Sequence, residues 1–210
     1  MVYNSNMRLP ENIILKNILT EEEIAKVYDV VNSTDLENTV VQNSMGHRAY
    51  LVSLGEDIRE KLEKVVQDEF GSGWMLNAYQ FARYSQKYGY VNKLYPHFDD
   101  AFEDHKLTLD VQINATKPWP IVIEGKAFTL NNNEALIFSG TDQIHWREDV
   151  KFDDEDIIDM IFCHFTLVDD PRGKIDSEWI KSMQEKEDYW KPILNISDQP
   201  ISTGSYQDGE

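Results

Sequence analysis

Between Trp74 and Val168 the chain alternates apolar and polar side chains with a period of two, broken every few residues by turn formers. That pattern suits strands that bury one face, and it predicts them at 75–84, 107–114, 119–123, 127–130, 134–138, 144–147 and 157–168. Glu124-Gly125 and Ser139-Gly140 punctuate the run as turns, and the asparagines at 131–133 tolerate left-handed backbone. So many short strands without helices between them argue against a parallel sheet, whose crossovers need helices. The expected fold class is mainly β with flanking helices. Its core would be an antiparallel double sheet or jelly roll, whose open end can hold a small-molecule site.

Helices are expected on either side of this run. Thr20 stands three residues before Glu23 as in a capping box, and Leu19 and Ile24 stand where a hydrophobic staple wants them. That helix should run to about residue 31 and end at Asn32 or Ser33. Ser53 and Glu56 suggest a second capping box, with Ile58, Leu62, Val65, Val66 and Phe70 as the buried stripe and Gly71 as the stop. A late helix capped by Asp176 or Ser177 should reach Trp190, with Pro192 ending it. Its Trp179, Ile180, Met183, Tyr189 and Trp190 suit core packing, a dimer contact or a lid. One domain over residues 1–195, followed by a polar tail at 196–210, is the expected organisation.

Charge narrows the function classes. The 210 residues carry 38 acidic against 20 basic side chains, a formal charge of −18. Phosphate backbones are held by clusters of Lys and Arg, and none is present, so nucleic acid is not an expected partner. Anionic membrane surfaces are disfavoured on the same ground, and no apolar run approaches the roughly 20 residues that span a bilayer. The first ten residues lack the basic-then-apolar pattern of a secretory leader, and Cys163 is the only cysteine. These features lead to an expectation of a cytoplasmic protein in a reducing compartment.

The strongest chemical signal is Tyr95-Pro96-His97-Phe98-Asp99-Asp100. In extended backbone, residues i and i+2 point to the same side, so His97 and Asp99 project together while Phe98 turns into packing. An imidazole and a carboxylate so placed can occupy adjacent positions on a metal. Ile144-His145-Trp146-Arg147 offers a third ligand, 46 residues beyond Asp99 and across the β-rich interval. Two His and one carboxylate on one face of a metal form the triad of non-haem Fe(II) oxygenases, with positions left open for co-substrate and oxygen. The plainer reading is a hydrogen-bonded His at a strand end followed by an acidic turn.

Five segments in order, ILKNILTEEEIAKVY, YQFARY (79–84), YPHFD (95–99), LTLDVQIN (107–114) and ALIFSGTDQIHWR (135–147), resemble the 2-oxoglutarate and Fe(II)-dependent oxygenases, in particular their prolyl-hydroxylase-like branch. The resemblance implies a double-stranded β-helix, a cupin-like jelly roll. It also implies His97, Asp99 and His145 as the iron ligands and 2-oxoglutarate as co-substrate. The expected reaction is hydroxylation or another oxidation of an unactivated C–H in a small amino-acid-like or peptidyl substrate, consuming molecular oxygen and releasing succinate and CO2. A cupin-like metalloenzyme without 2-oxoglutarate, or a non-catalytic binding protein on the same scaffold, are the alternatives. A homo-oligomer is left open.

The chain departs from the family at one point. Members carry a basic residue downstream of the distal His to pair with 2-oxoglutarate, but here that window reads Asp154-Glu155-Asp156-Ile157. Burying an unpaired carboxylate is costly, so another cation must serve. Arg147 shares a strand face with His145 and can grip a carboxylate with two N–H groups, with Arg83 and Lys106 as the other candidates. Salt bridging to Glu148 or Asp149 is the plainer fate of Arg147. Tyr84 resembles the family tyrosine that assists the co-substrate, though a core tyrosine reads equally well. His164, on the last strand, can face the pocket with Phe162 and Thr166, or be a buried structural His. Thr108, Asp110 and Gln112 share one strand face that lines either a cavity or solvent. Trp146 should pack away from the ligands, and His47 and His105 are expected at the surface or in support. Segment 85–94 reads as a pocket rim or equally as ordinary loop packing, and the acid-rich loop 148–156 reads first as a solubilising surface loop, with a pocket rim favouring a cationic substrate as the alternative.

Overall fold

A computed structural model describes residues 12–42, 46–88, 93–99, 104–170 and 173–196 of the chain. Much of the 85–94 segment's tip and nearly all of the 196–210 tail lie outside these residues. The described chain contains eleven strands and three α-helices, a mixed arrangement of two sheets with helices on both outer faces.

Two long strands form the centre: β4 (Trp74–Ser85) and β11 (Ile157–Leu167) pair antiparallel along their whole length. Around them β1 (Ile13–Lys16), β2 (Thr39–Gln42), β3 (His47–Tyr50), β6 (Leu107–Ala115) and β9 (Glu134–Phe138) complete a seven-stranded antiparallel sheet in the order β1-β9-β6-β11-β4-β3-β2. The smaller sheet runs β5-β10-β7-β8, from β5 (Leu94–His97), β7 (Ile121–Ile123), β8 (Lys126–Phe128) and β10 (His145–Arg147). Glu124 and Gly125 both take positive φ, 46° and 82°, which is what a two-residue hairpin turn between β7 and β8 requires. The two sheets resemble a double-stranded β-helix scaffold, but among the described residues no strand pairing closes them into a barrel.

Alternation divides the core into three layers. One face of the large sheet sends Leu107, Leu109, Val111, Ile161, Cys163 and Phe165 against the first two helices. Its other face meets the small sheet, where Tyr84, Leu136, Phe138 and Met160 pack on Trp119, Ile121 and Ile123. On the far side of the small sheet, Phe98, Ile144 and Trp146 pack on the last helix through Met183, Trp179 and Trp190. Phe98 and Trp146 therefore point away from His97, Asp99 and His145, as alternation requires.

Helix α1 (Glu21–Ser33) has the expected capping box: Thr20 Oγ1 accepts the Glu23 N–H at 3.2 Å, and Glu23 Oε2 accepts the Thr20 N–H at 2.7 Å. Helix α2 (Glu56–Phe70) departs from its expected start. Its cap is Gly55 at φ 101°, and the Ser53 hydroxyl accepts the Gly55 N–H at 3.3 Å instead of reaching into the helix. Ser53 lies too far upstream once glycine's freedom lets the chain turn at residue 55. Helix α3 (Ser177–Leu194) is capped by Asp176, whose side chain accepts the Trp179 N–H at 2.9 Å. It does not stop at Pro192: the proline sits in the last turn, and the helix ends at Asn195 in left-handed backbone. A proline so near the end costs only one hydrogen bond of the ladder.

Candidate metal centre

His97 and His145 are direct cross-strand partners on β5 and β10, their ring centroids 4.1 Å apart. Asp99 follows two residues after His97, and its N–H donates to the Gly140 carbonyl at 2.9 Å, in the turn that leads to β10. All three side chains are buried, and one donor atom from each lies within 4.8 Å of the other two. His97 Nε2 stands 3.8 Å and His145 Nε2 3.6 Å from Asp99 Oδ1. A cation bound about 2.1 Å from each donor would draw these atoms to roughly 3 Å of one another, closer than the 3.6 and 3.8 Å His–Asp separations here.

Both rings are oriented by the same local device. His97 Nδ1 donates to the Tyr95 carbonyl at 2.8 Å, and His145 Nδ1 donates to the Gln143 carbonyl at 3.0 Å, each two residues upstream. A carbonyl only accepts, so each Nδ1 keeps its proton and Nε2 is the ring nitrogen that faces Asp99. Asp99 Oδ2 is held on its other side by the Thr108 hydroxyl, with His164 Nε2 at 3.5 Å. Oδ1 is thereby left facing the two imidazoles.

The electrostatics fit a cation site. Burial would raise the Asp99 carboxyl, but His164, His145 and His97 outweigh it and hold Asp99 well below the ordinary carboxylate range. Burial, with His145 beside it, pushes His97 down to about 3. For His145 burial acts the same way, yet the Asp99 carboxylate overrides it and raises the imidazole. Ionised Asp99 and neutral His97 are in the form that ligates a divalent metal, and a metal at His145 would displace the proton that Asp99 favours there.

Arg147 is two residues beyond His145 on the same strand face and is 1 % exposed. Its Nη1 donates to the Trp119 carbonyl, and its guanidinium lies 5.1 Å from the Trp119 ring centroid. Its Nε and Nη2 are buried and have no hydrogen-bond partner, and neither has the buried Tyr84 hydroxyl. No salt bridge to Glu148 or Asp149 is present among the described residues. Glu148 instead accepts from Trp146 Nε1 at 2.7 Å through its side chain, and from Trp119 Nε1 at 2.8 Å through its carbonyl. Tyr84 packs edge-on to Trp119 at 4.8 Å and to His47 at 5.0 Å, which forms an aromatic wall beside these donors. Two guanidinium positions and a phenol left open in a dry interior match the donor set that a carboxylate takes up.

The other candidates are distributed differently. Arg83 points to the opposite face, where Nε and Nη2 grip Asp159 at 2.7 and 3.0 Å and Tyr28 donates to the same carboxylate at 2.8 Å. The sequence placed it beside Arg147 as an anchor candidate; its partner across the strand pair occupies it instead. Lys106 precedes β6, with its backbone tied to Thr141 Oγ1 at 3.1 Å. Thr108, Asp110 and Gln112 all face the interior between the sheets and not solvent. Burial pushes the Asp110 carboxyl up to about 7, against the lowering influence of Arg147 and His145. His47 and His105 are buried rather than superficial: His47 lies between Tyr84 and Phe162, and His105 Nδ1 is 3.4 Å from Asp142. The acid-rich loop 148–156 lies partly against Lys117, which donates to Asp156 at 2.7 Å and to the Lys151 carbonyl at 2.8 Å.

No family model and no curated protein matches the sequence. Solved structures do match the fold. A viral collagen prolyl hydroxylase from Paramecium Bursaria Chlorella virus-1, in its 2-oxoglutarate complex, superposes with a TM-score of 0.54 at 13% identity over 75% of this chain and 96% of that one. HygX from Streptomyces hygroscopicus, bound to nickel, 2-oxoglutarate and hygromycin B, gives 0.57 at 10% identity over 75% and 83%. The non-haem α-ketoglutarate-dependent epimerase SnoN from nogalamycin biosynthesis gives 0.56 at 13% over 74% and 78%. The fold resembles the scaffold of these solved 2-oxoglutarate and iron(II)-dependent oxygenases, without a closed barrel among the described residues. On that fold the described chain carries a His-His-Asp group whose donor atoms could hold a metal ion.

Proposed function

We propose that the protein is a 2-oxoglutarate- and Fe(II)-dependent oxygenase that hydroxylates or otherwise oxidises an unactivated C–H of a small amino-acid-like or peptidyl substrate. The observation that carries this reading is the buried triad of His97, Asp99 and His145, followed two residues later by the open donors of Arg147. In this reading His97 Nε2, His145 Nε2 and Asp99 Oδ1 hold iron, and Arg147 with Tyr84 holds the distal carboxylate of 2-oxoglutarate. Iron with 2-oxoglutarate, when bound, would let molecular oxygen act as the oxidant, one oxygen atom passing into succinate as CO2 is lost and the other to the substrate. The chain's own part is placement: Thr108 and His164 fix the Asp99 carboxylate, and the wall of His47, Tyr84, Trp119 and Phe162 keeps the interior dry. The bound carboxylate offsets a guanidinium that otherwise pays for its burial without partners.

Anaerobic titration of the Fe(II)-loaded protein with 2-oxoglutarate tests this. A weak visible charge-transfer band should appear, vanish in His145→Ala, and require at least about tenfold more 2-oxoglutarate in Arg147→Met at unchanged metal affinity. Failure of the wild-type protein to develop the band would defeat the assignment. One observation favours a second reading, a metalloenzyme on this scaffold that does not use 2-oxoglutarate: Asp110 adds an acid near Arg147. Calorimetry separates the two, since metal binding without any heat from 2-oxoglutarate would select the second.

A further inference from the structure

The turn 139–143, between β9 and β10, touches both halves of the triad. Its Gly140 carbonyl accepts the Asp99 N–H at 2.9 Å, and its Gln143 carbonyl accepts His145 Nδ1 at 3.0 Å. Gly140 is pressed so closely on the ligand that a Cβ there would lie 1.8 Å from Asp99 Oδ2 and 2.2 Å from Thr108 Oγ1. The turn is internally tied as well. The Asp142 and Gln143 N–H groups donate to the Ser139 carbonyl at 3.1 and 2.9 Å, and the Ser139 hydroxyl donates to Asp142 Oδ2 at 2.6 Å.

Helix α3 reaches into this turn from the far side of the small sheet. Trp179 Nε1 donates to Asp142 Oδ1 at 2.7 Å, and the Lys186 ammonium donates to the Asp142 carbonyl while pairing with Glu124 at 2.9 Å. Trp179 and Lys186 are seven residues apart, two helical turns, so they share one face of α3. That face ends on a single residue of the turn, whose side chain and main chain it holds at once. His105, 3.4 Å from the same carboxylate, completes the ring of contacts. Apolar docking alone, by Met183 and Trp190 on Trp146 and Phe98, would hold the helix against the sheet without fixing this turn.

We propose that α3 is a positioning element of the cation site: Trp179 and Lys186 grip Asp142 and hold the 139–143 turn in the arrangement that seats Asp99 and His145. The inference rests on the reading of the triad as a metal site. Helix docking and cation binding are then linked, so each strengthens the other by the same factor. The positioning residues touch neither metal nor co-substrate, and their effect passes through the Gly140 and Gln143 carbonyls.

Co(II) alone is the probe, in the full chain. Trp179→Phe removes the donor N–H with the pyrrole ring that carries it but keeps an aromatic side chain, and Lys186→Met removes the ammonium. Each should weaken Co(II) binding about tenfold with native circular dichroism retained. In the wild-type protein Co(II) should slow amide exchange along residues 177–194, and this protection should shrink in both variants. Unchanged Co(II) affinity in both variants, or no protection of α3 in the wild type, would reduce α3 to ordinary packing and overturn the proposal. A wild-type protein that takes no Co(II), with His97→Ala indistinguishable from it, would remove the metal reading and this inference together.

Discussion

Asp110 shows what a single residue can report. Its carboxyl is buried beside Arg147 and pushed up to about 7, so in the metal-free protein the folded state keeps a proton that the unfolded chain has already lost. Between the unfolded carboxyl range and pH 7 the native state therefore binds more protons, and stability falls as pH rises, by at most about 1.4 kcal/mol per unit. Asp110→Asn, nearly the same shape without the charge, should gain stability relative to wild type as urea denaturation is moved from pH 5 to pH 7.5. Parallel stabilities across that interval would show that Asp110 ionises as easily folded as unfolded. Arg83 gives the contrasting case. It is the cationic partner of Asp159, which is 1 % exposed, so Arg83→Met leaves a buried carboxylate with only the Tyr28 hydroxyl and should cost about 3 kcal/mol. The same variant should leave 2-oxoglutarate binding unchanged, whereas the anchor reading of Arg83 requires that binding to fail.

At the scale of elements, the 139–143 turn carries the sharpest sensitivity. Gly140→Ala places a methyl group where Asp99 and Thr108 already stand, so the ligand must shift or the turn must open. Co(II) affinity should drop at least about tenfold, and a Gly140→Ala protein that binds Co(II) normally would mean the contact relaxes without reaching the metal site. The turn itself was legible as Ser139-Gly140, but its contact with Asp99 was not, because that meeting depends on how two sheets stack. The long strands and α1 were legible for local reasons: period-two alternation, and a Thr–Glu pair at the spacing of a capping box. The strands β1, β2 and β3, four residues each, were not, since so short a run cannot display a period and they form only by adding to a larger sheet's edge. Alternation also revealed that His97, Asp99, His145 and Arg147 face one way within their own strands. It could not reveal that Arg83 faces Asp159, 76 residues distant, because strand register is a tertiary fact. The carbonyls of Tyr95 and Gln143 that orient the two imidazoles were invisible for a simpler reason: backbone atoms leave no trace in residue identity.

For the whole molecule the governing quantity is charge. A formal −18 from 38 acids and 20 bases leaves many acidic side chains without a basic counterpart, so they repel one another. Pairs such as Lys64 with Asp68 and Lys26 with Asp57 are exposed and contribute little. The repulsion acts over a longer range than these pairs, and unfolding relieves it by spreading the charges apart. Screening should therefore stabilise the fold. Raising salt from about 0.01 M to about 1 M shortens the Debye length from roughly 30 Å to 3 Å, which removes the repulsion and weakens the few surface attractions as well. Because acids outnumber bases almost two to one, the balance predicts a higher melting temperature at high salt, readable by calorimetry in NaCl. A melting temperature that falls as salt rises would mean that local ion pairing, not overall repulsion, dominates the electrostatics of this chain.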